Sequence, residues 1–495
     1  MTSGLRKFDL AESTFWLLDR ASSMNFAVMA RLSGSLDTEQ IRSGLAFLQK
    51  KHPLLQCSVQ HDAEKGELAF LHRGLEQSIP LAIKQVGPES SFNGDSGTLA
   101  ESEREDAAAS NSGSKINGHG ELSGMRNKSL EFVAQSMMEA FAPETWPLMR
   151  AFLLRGPQDL RLVLIFHHSI ADGRSGIRLL QELIAFLADP ESAGLLAKPS
   201  PEDAGTGNES TSEGPAAEGS KLPGGLHSLL PGSSRPPALE ENPALPVSFY
   251  RKKSSDASPW LVELCLNSDE TEALRRRSKQ WGCTLHGMLG GILLSALARC
   301  DAAPGENQIN DAGEGISLHR LALASPADMR GKLASGADDL ALYISLITTT
   351  ANVDASLQGL PELSRSISAD VRRQIEDRPL EFYHLLPDPK RYLSKADPGK
   401  AYGALISRLP PAAALSNAGV VSDFSSAKDG SWMVENVSFS VHPSLSQMVF
   451  VAATTYGGSL TLTVNLDSSR WSEGLPLRYV QKVEGMCKAV AETKY

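Results

Sequence analysis

Between Arg161 and Gly173 the chain runs through five apolar residues, Leu162-Val163-Leu164-Ile165-Phe166, and then turns polar as His167-His168-Ser169-Ile170-Ala171-Asp172-Gly173. A short, wholly apolar run of this kind reads as a strand buried on both faces, which demands covering layers on either side. The residues that follow repeat Ile177, Leu180, Ile184 and Leu187 on one side of a helix over 175–187. Strand side chains alternate, so His168 shares a face with Leu164 and Phe166 while His167 points the other way. That divergence argues against joint chelation of an ion by the His-His-x-x-x-Asp string, and no metal is expected. Two readings of the pair remain: hydrogen-bonded core histidines, or one imidazole held at the mouth of a cleft. An unperturbed pKa of about 6.5 leaves such a ring mostly neutral near pH 7 and suits it to general-base work. The abrupt polar ending of the strand favours the second reading, with His168 as the base. Asp172 can cap the following helix or accept a hydrogen bond within the turn, and Gly173 can serve a positive φ. We read Asp172 as shaping the loop that holds His168, with Arg150 or Arg330 as its charged partner.

Helical and extended patterns interleave along the rest of the chain, which gives an α/β class. Residues 36–48 place Ile41, Leu45 and Leu48 on one stripe, with Asp37 or Thr38 to cap it, and the helix stops before Pro53. Alternating strand-like segments follow to about residue 86, then a helix over 129–141 and strands near Leu148–Leu154 and Leu160–Phe166. The second half opens with an extended Trp260–Leu266, a helix over 269–281 and a nearly all-apolar helix over 284–297 that must be buried on most sides. Met448–Thr455 and Ser459–Asn465 flank Tyr456-Gly457-Gly458 as a hairpin, and a closing helix runs from Leu477 to Ala491.

The organisation expected is therefore a first subdomain over 1–188, a low-complexity acidic linker over 189–246 and a second subdomain over 247–495. Within the first, residues 87–128 hold only nine apolar side chains in 42, too few to offset ordering the backbone, and are expected to form a disordered insertion. The two low-complexity stretches also carry the acidity: the chain has net charge −10, yet outside them 41 bases face 42 acids. Nothing in this balance points to nucleic acid. Five scattered cysteines without a C-x-x-C pair suit a reducing compartment. No run approaches the roughly 18 apolar residues of a membrane span, and a cytoplasmic monomer is expected.

The string His167 to Gly173 resembles the H-H-x-x-x-D-G motif of acyltransferases with the chloramphenicol-acetyltransferase-like fold, among them nonribosomal condensation domains, alcohol O-acetyltransferases and phthiocerol dimycocerosyl transferases. Three further stretches agree in order: Lys51-His52-Pro53-Leu54-Leu55 is similar to the family's R-H-P-L-L, Ser325-Pro326-Ala327-Asp328-Met329-Arg330 to its P-x-D-x-R, and Ser416-Asn417-Ala418-Gly419 to an S-N-x-G. The plant-type D-F-G-W-G is not matched, because Asp423-Phe424 continues as Ser425-Ser426. The resemblance implies two mixed-sheet subdomains with helices around a central tunnel. In it His168 would take a proton from an alcohol acceptor that attacks the thioester carbonyl of acyl-CoA directly, with no acyl-enzyme. Acyl-CoA would be a cosubstrate, with no bound cofactor, and an acyl carrier protein is the alternative donor. Ser416 and Asn417, beside Gly419, are candidates for the oxyanion or the tunnel wall, with an ordinary polar turn as the alternative. Arg330 is expected to be a structural ion-pair partner.

Overall fold

The computed structural model describes residues 5–87, 127–191, 222–230, 258–301, 319–406 and 412–492, apart from 143, 158, 337, 354–357, 423, 444–446 and 473. Residues 88–126, and most of the 189–246 linker, lie outside the described residues, as does Asp423. Among the described residues the strands are β1 (Leu5–Lys7), β2 (Phe26–Gly34), β3 (Cys57–Asp62), β4 (Glu67–His72), β5 (Leu81–Gln85), β6 (Met149–Arg155), β7 (Leu160–Phe166), β8 (Pro259–Leu266), β9 (His319–Asp328), β10 (Ile344–Val353), β11 (Ala412–Val420), β12 (Trp432–Val441), β13 (Gln447–Tyr456) and β14 (Ser459–Asp467).

The first lobe is built on a five-stranded sheet in the order β12-β2-β7-β6-β5. Its central strand, β7, is antiparallel to both neighbours, and Leu162 to Phe166 are wholly buried. The Thr38–Lys51 and Gly173–Ala188 helices pack on each other, and the second lies on β2 and β7. Gly176 allows that close approach, since a Cβ there would come within 2.8 Å of the Phe26 ring and 2.9 Å of Val28. Asp37 caps the first of these helices by accepting from Glu39 N at 2.9 Å, and His52 before Pro53 closes it. The second lobe holds a six-stranded mixed sheet, β10-β9-β11-β13-β14-β8, in which β11 runs parallel to β9 and β13. The apolar Leu285–Asp301 helix packs between this sheet and the Leu360–Asp377 and Leu475–Glu492 helices.

The two lobes interlock more closely than a cut at 189–246 implies. Strand β12, from late in the chain, pairs with β2 of the first lobe, Val437 opposite Ala30. Val437, Phe439 and Val441 join the first lobe's core, while Asn436, Ser438 and Ser440 alternate with them and bond to the second sheet. Thr461 Oγ1 donates to Asn436 Oδ1 at 3.1 Å, Ser438 Oγ to Glu263 Oε1 at 2.6 Å, and Asn465 Nδ2 to Ser440 Oγ at 3.1 Å. Glu263 also takes both guanidinium nitrogens of Arg161, at 3.0 and 2.9 Å, so β7 of one lobe is tied to β8 of the other. Both side chains are buried, and stripping one partner from such a pair costs about 3–5 kcal/mol. Within the expected linker, residues 222–230 are likewise docked: Leu226 is wholly buried, His227 N donates to Asp9 Oδ2 at 2.9 Å, and Gly224 O accepts from Tyr343 Oη at 3.1 Å. Leu226 and Leu230 supply the apolar anchors of this docked segment.

Candidate active site

β7 ends at Phe166, and the chain turns through His167 to Ile170 at the seam between the lobes. The two histidines diverge. Nδ1 of His167 accepts from Ser169 N at 3.1 Å and lies 2.8 Å from Ser169 Oγ. A nitrogen that accepts from a backbone N–H carries no proton, so the proton sits on Nε2, 3.4 Å from Asp19 Oδ2. Burial pushes the Asp19 carboxyl up, but His167 and the amide of Met24 hold it below the usual carboxylate range. His167 is wholly buried, with its ring on Trp16 at 4.8 Å, and does not line the cavity at His168.

His168 turns the other way, its ring 4.5 Å from that of Phe15 and 4.9 Å from that of Phe26. Nδ1 is fully enclosed without a hydrogen-bond partner among the described residues, which leaves Nε2 as the nitrogen presented to the cavity. Burial pushes its pKa down to about 4, against smaller opposing pulls from the backbone of His168 and from Asp172. The ring is therefore neutral at pH 7, as a base must be. We expect the acid limb of kcat/KM to titrate near pH 4 and not near the ordinary 6.5, measured as initial rates after brief exposure to each pH. Stability should move in the same window. The unfolded ring binds a proton below about pH 6.5 and the folded one only near 4, so acidification between these values favours unfolding. His286 and His442 are pushed down to about 4 by burial too and add to the slope.

Asp172 is wholly buried and bonded on all sides. It caps the Gly173–Ala188 helix through Ser175 N at 2.9 Å, accepts from Tyr343 N at 2.8 Å, and takes Arg330 in a two-pronged pair at 2.9 and 3.1 Å. Arg330 also reaches Ser175 Oγ at 2.6 Å. Burial pushes the Asp172 carboxyl up, but Arg330 and the two amides hold it below its ordinary value. Of the two arginines considered, the structure joins Arg330 to Asp172; Arg150 pairs with Glu139 at 3.3 Å instead, beside the Lys128–Met138 helix. The positive φ considered for Gly173 is also corrected. Gly173 is the first residue of the helix, outside the positive-φ set, and its lack of a side chain admits the Phe439 ring, 3.2 Å from where a Cβ would stand.

Ser416 and Asn417 reach the same cavity from β11, which corrects the alternative of an ordinary turn. The register of β11 against β13 shifts between Asn417 and Gly419, where Gly419 takes φ +73° and donates its N–H to Asn417 Oδ1 at 2.8 Å. That bond turns the carbonyl oxygen of Asn417 to its own strand and leaves its amide hydrogens to donate elsewhere. The cavity, of about 140 Å³, is lined mainly by apolar groups, among them Phe15, Met24, Phe382, Phe439 and Phe450. It adjoins a groove of about 780 Å³ between the lobes. These aromatic walls, and the Tyr343 amide on Asp172, escaped the sequence reading. Phe15 and Phe439 come from elements that no motif marks, and a backbone donor has no sequence signature.

Residues 256–464 match the family model for the phthiocerol/phthiodiolone dimycocerosyl transferase C-terminus. No curated protein sequence matches the chain. Among solved structures it is similar to polyketide synthase associated protein 5 from Mycobacterium tuberculosis, with 14% identity, 98% of each chain covered and a TM-score of 0.59. It is also similar to a trichothecene 15-O-acetyltransferase from Fusarium sporotrichioides, with 12% identity, 98% and 94% covered and a TM-score of 0.61. The first condensation domain of the calcium-dependent antibiotic synthetase matches with 12% identity, 99% and 97% covered and a TM-score of 0.59. The two mixed sheets and these likenesses agree on the fold: the chain has the two-lobed α/β fold of these solved structures, and its residues 256–464 match the phthiocerol/phthiodiolone dimycocerosyl transferase C-terminal family.

Proposed function

We propose that this protein is a thioester-dependent O-acyltransferase that moves an acyl group from acyl-CoA to an alcohol. The observation that carries this reading is a neutral imidazole, His168, facing a mainly apolar cavity whose wall also bears Ser416 and Asn417. His168 Nε2 accepts the proton of the acceptor hydroxyl as its oxygen attacks the thioester carbonyl. Ser416 Oγ and Asn417 Nδ2 donate to the developing oxyanion. Collapse expels the thiolate, which takes the proton back from the imidazolium, so the base is regenerated without an acyl-enzyme. A thioester is already activated, and enclosure in the cavity supplies proximity and excludes water.

The reading is tested by supplying acetyl-CoA, longer acyl-CoA thioesters and an acyl-loaded carrier protein in parallel, each with a panel of alcohols and amines, and identifying products by mass spectrometry. Esters formed from acyl-CoA are the expected result. Transfer from the carrier protein alone, or only to amines, would replace this reading with that of a stand-alone condensation enzyme. Binding without turnover of any donor would replace it with that of a non-catalytic relative.

A further inference from the structure

The cavity at His168 and the groove outside it share three wall residues, Arg174, Asp328 and Ala418. Arg174 Nη1 donates to Asp328 Oδ2 at 2.7 Å. The two residues belong to opposite lobes: Arg174 is the second residue of the Gly173–Ala188 helix, two positions past Asp172, and Asp328 is the last residue of β9. Their ion pair thus lies across the neck that joins the groove to the cavity.

The partners are held unequally. Asp328 Oδ1 also accepts from Arg330 N at 3.1 Å and Arg330 Nη1 at 2.9 Å, so it is fastened to the buried network around Asp172. The Arg174 side chain is 72% exposed and has Asp328 as its partner among the described residues. An exposed ion pair contributes only about 0–1 kcal/mol, so it exchanges readily for a better anion. When Arg174 swings away, Asp328 keeps Arg330, and no carboxylate is left buried and unpaired.

We propose that the Arg174–Asp328 pair is a latch across this neck, and that Arg174 exchanges Asp328 for a phosphate group of the thioester donor as the donor enters from the groove. This rests on the acyl-transfer reading above. The cavity, about 140 Å³ and mainly apolar, fits an acyl group and not the polar remainder of a donor, which must stay in the groove of about 780 Å³. The other guanidinium groups of that groove are engaged: Arg178 with Glu182 and Asp338, each at 3.2 Å, and Arg330 with Asp172. Asp338 and Asp339 line the same groove and repel a phosphate from their side, which leaves the Arg174 side of the neck as the favoured seat. A guanidinium meets phosphate oxygens through two parallel N–H bonds, a geometry that an ammonium does not reproduce.

The test compares three donors of one acyl group: acetyl-CoA, S-acetyl-phosphopantetheine and S-acetyl-N-acetylcysteamine, the last without phosphate. In Arg174→Gln, the ratio of kcat/KM for acetyl-CoA to that for the phosphate-free thioester should fall about tenfold or more, through KM, and Arg174→Lys should recover only part of it. A fall shared by acetyl-phosphopantetheine assigns the contact to the pantetheine phosphate; a fall confined to acetyl-CoA assigns it to the nucleotide phosphates. CoA titrated calorimetrically into the same variants should bind Arg174→Gln about tenfold more weakly than wild type. An unchanged donor ratio together with unchanged CoA affinity would overturn the latch while leaving acyl transfer standing. A wild-type protein that consumed none of the three thioesters would instead overturn the acyl-transfer reading, and the latch with it.

Discussion

His168→Ala should lower thioester consumption by roughly 10²–10⁴-fold, or about 3–5 kcal/mol in the barrier, while the protein stays folded. The loss follows from position. Nε2 is the ring nitrogen left to the cavity, so alanine removes the base at that point. The ring packs on Phe15 and Phe26, and His168→Gln keeps more of that volume while removing the basic nitrogen. Both variants should therefore lose activity alike and differ chiefly in stability. His167→Ala should do the reverse. It removes the acceptor of Ser169 N and the partner of Asp19, both buried, and should lower the denaturation midpoint more than the rate. The measurement is thiol release from acyl-CoA alongside thermal melting of each variant. A His168→Ala protein that turned over within a few-fold of wild type would show that the proton goes to another group.

Much of this arrangement was legible in the sequence because it rests on short-range periodicity. The apolar run before His167 fixed a doubly buried strand, and the stripe through Ile177, Leu180, Ile184 and Leu187 fixed the helix behind it, which the structure extends to Gly173–Ala188. The hairpin around Gly457 and Gly458 and the apolar helix after Thr284 were readable for the same reason. What escaped depends on long-range pairing. Strand β12 looks like an ordinary alternating segment of the second half, yet it completes the first lobe's sheet, and its polar residues are buried against a second sheet and not turned to water. Alternation in the sequence reports two unlike faces; it does not report which neighbour each face meets. Ser416 and Asn417 were picked out by resemblance, but the bulge at Gly419 that accompanies their placement is a register shift between distant strands, with only the glycine as a local trace.

Asp172→Asn should cost about 3–5 kcal/mol of stability, because it removes the charge from a pair whose carboxylate is wholly buried and leaves Arg330 only the more exposed Asp328 as a carboxylate partner. The carboxylate has four separate donors, Ser175 N, Tyr343 N and two nitrogens of Arg330, and an amide offers only one acceptor oxygen for them. The pair crosses between the lobes, so its loss loosens both the turn that carries His168 and the seam against which the cavity is built. Arg330→Met should cost a similar amount, leaving Asp172 charged with two backbone donors. The double variant should cost less than the sum of the two, since each single change already breaks the same contact. Acid denaturation supplies an independent check with a definite sign. Folded Asp172 titrates below its unfolded value of about 3.9, so its contribution is present above that pH and is lost as pH falls through the folded pKa; Asp172→Asn should flatten that part of the stability curve and leave the histidine-driven slope between about pH 6.5 and 4 in place. Because Asp172 does not itself line the cavity, the rate should fall only as far as His168 is displaced. A variant with wild-type stability and a rate reduced as deeply as that of His168→Ala would assign Asp172 to proton transfer and reverse the role given to it here.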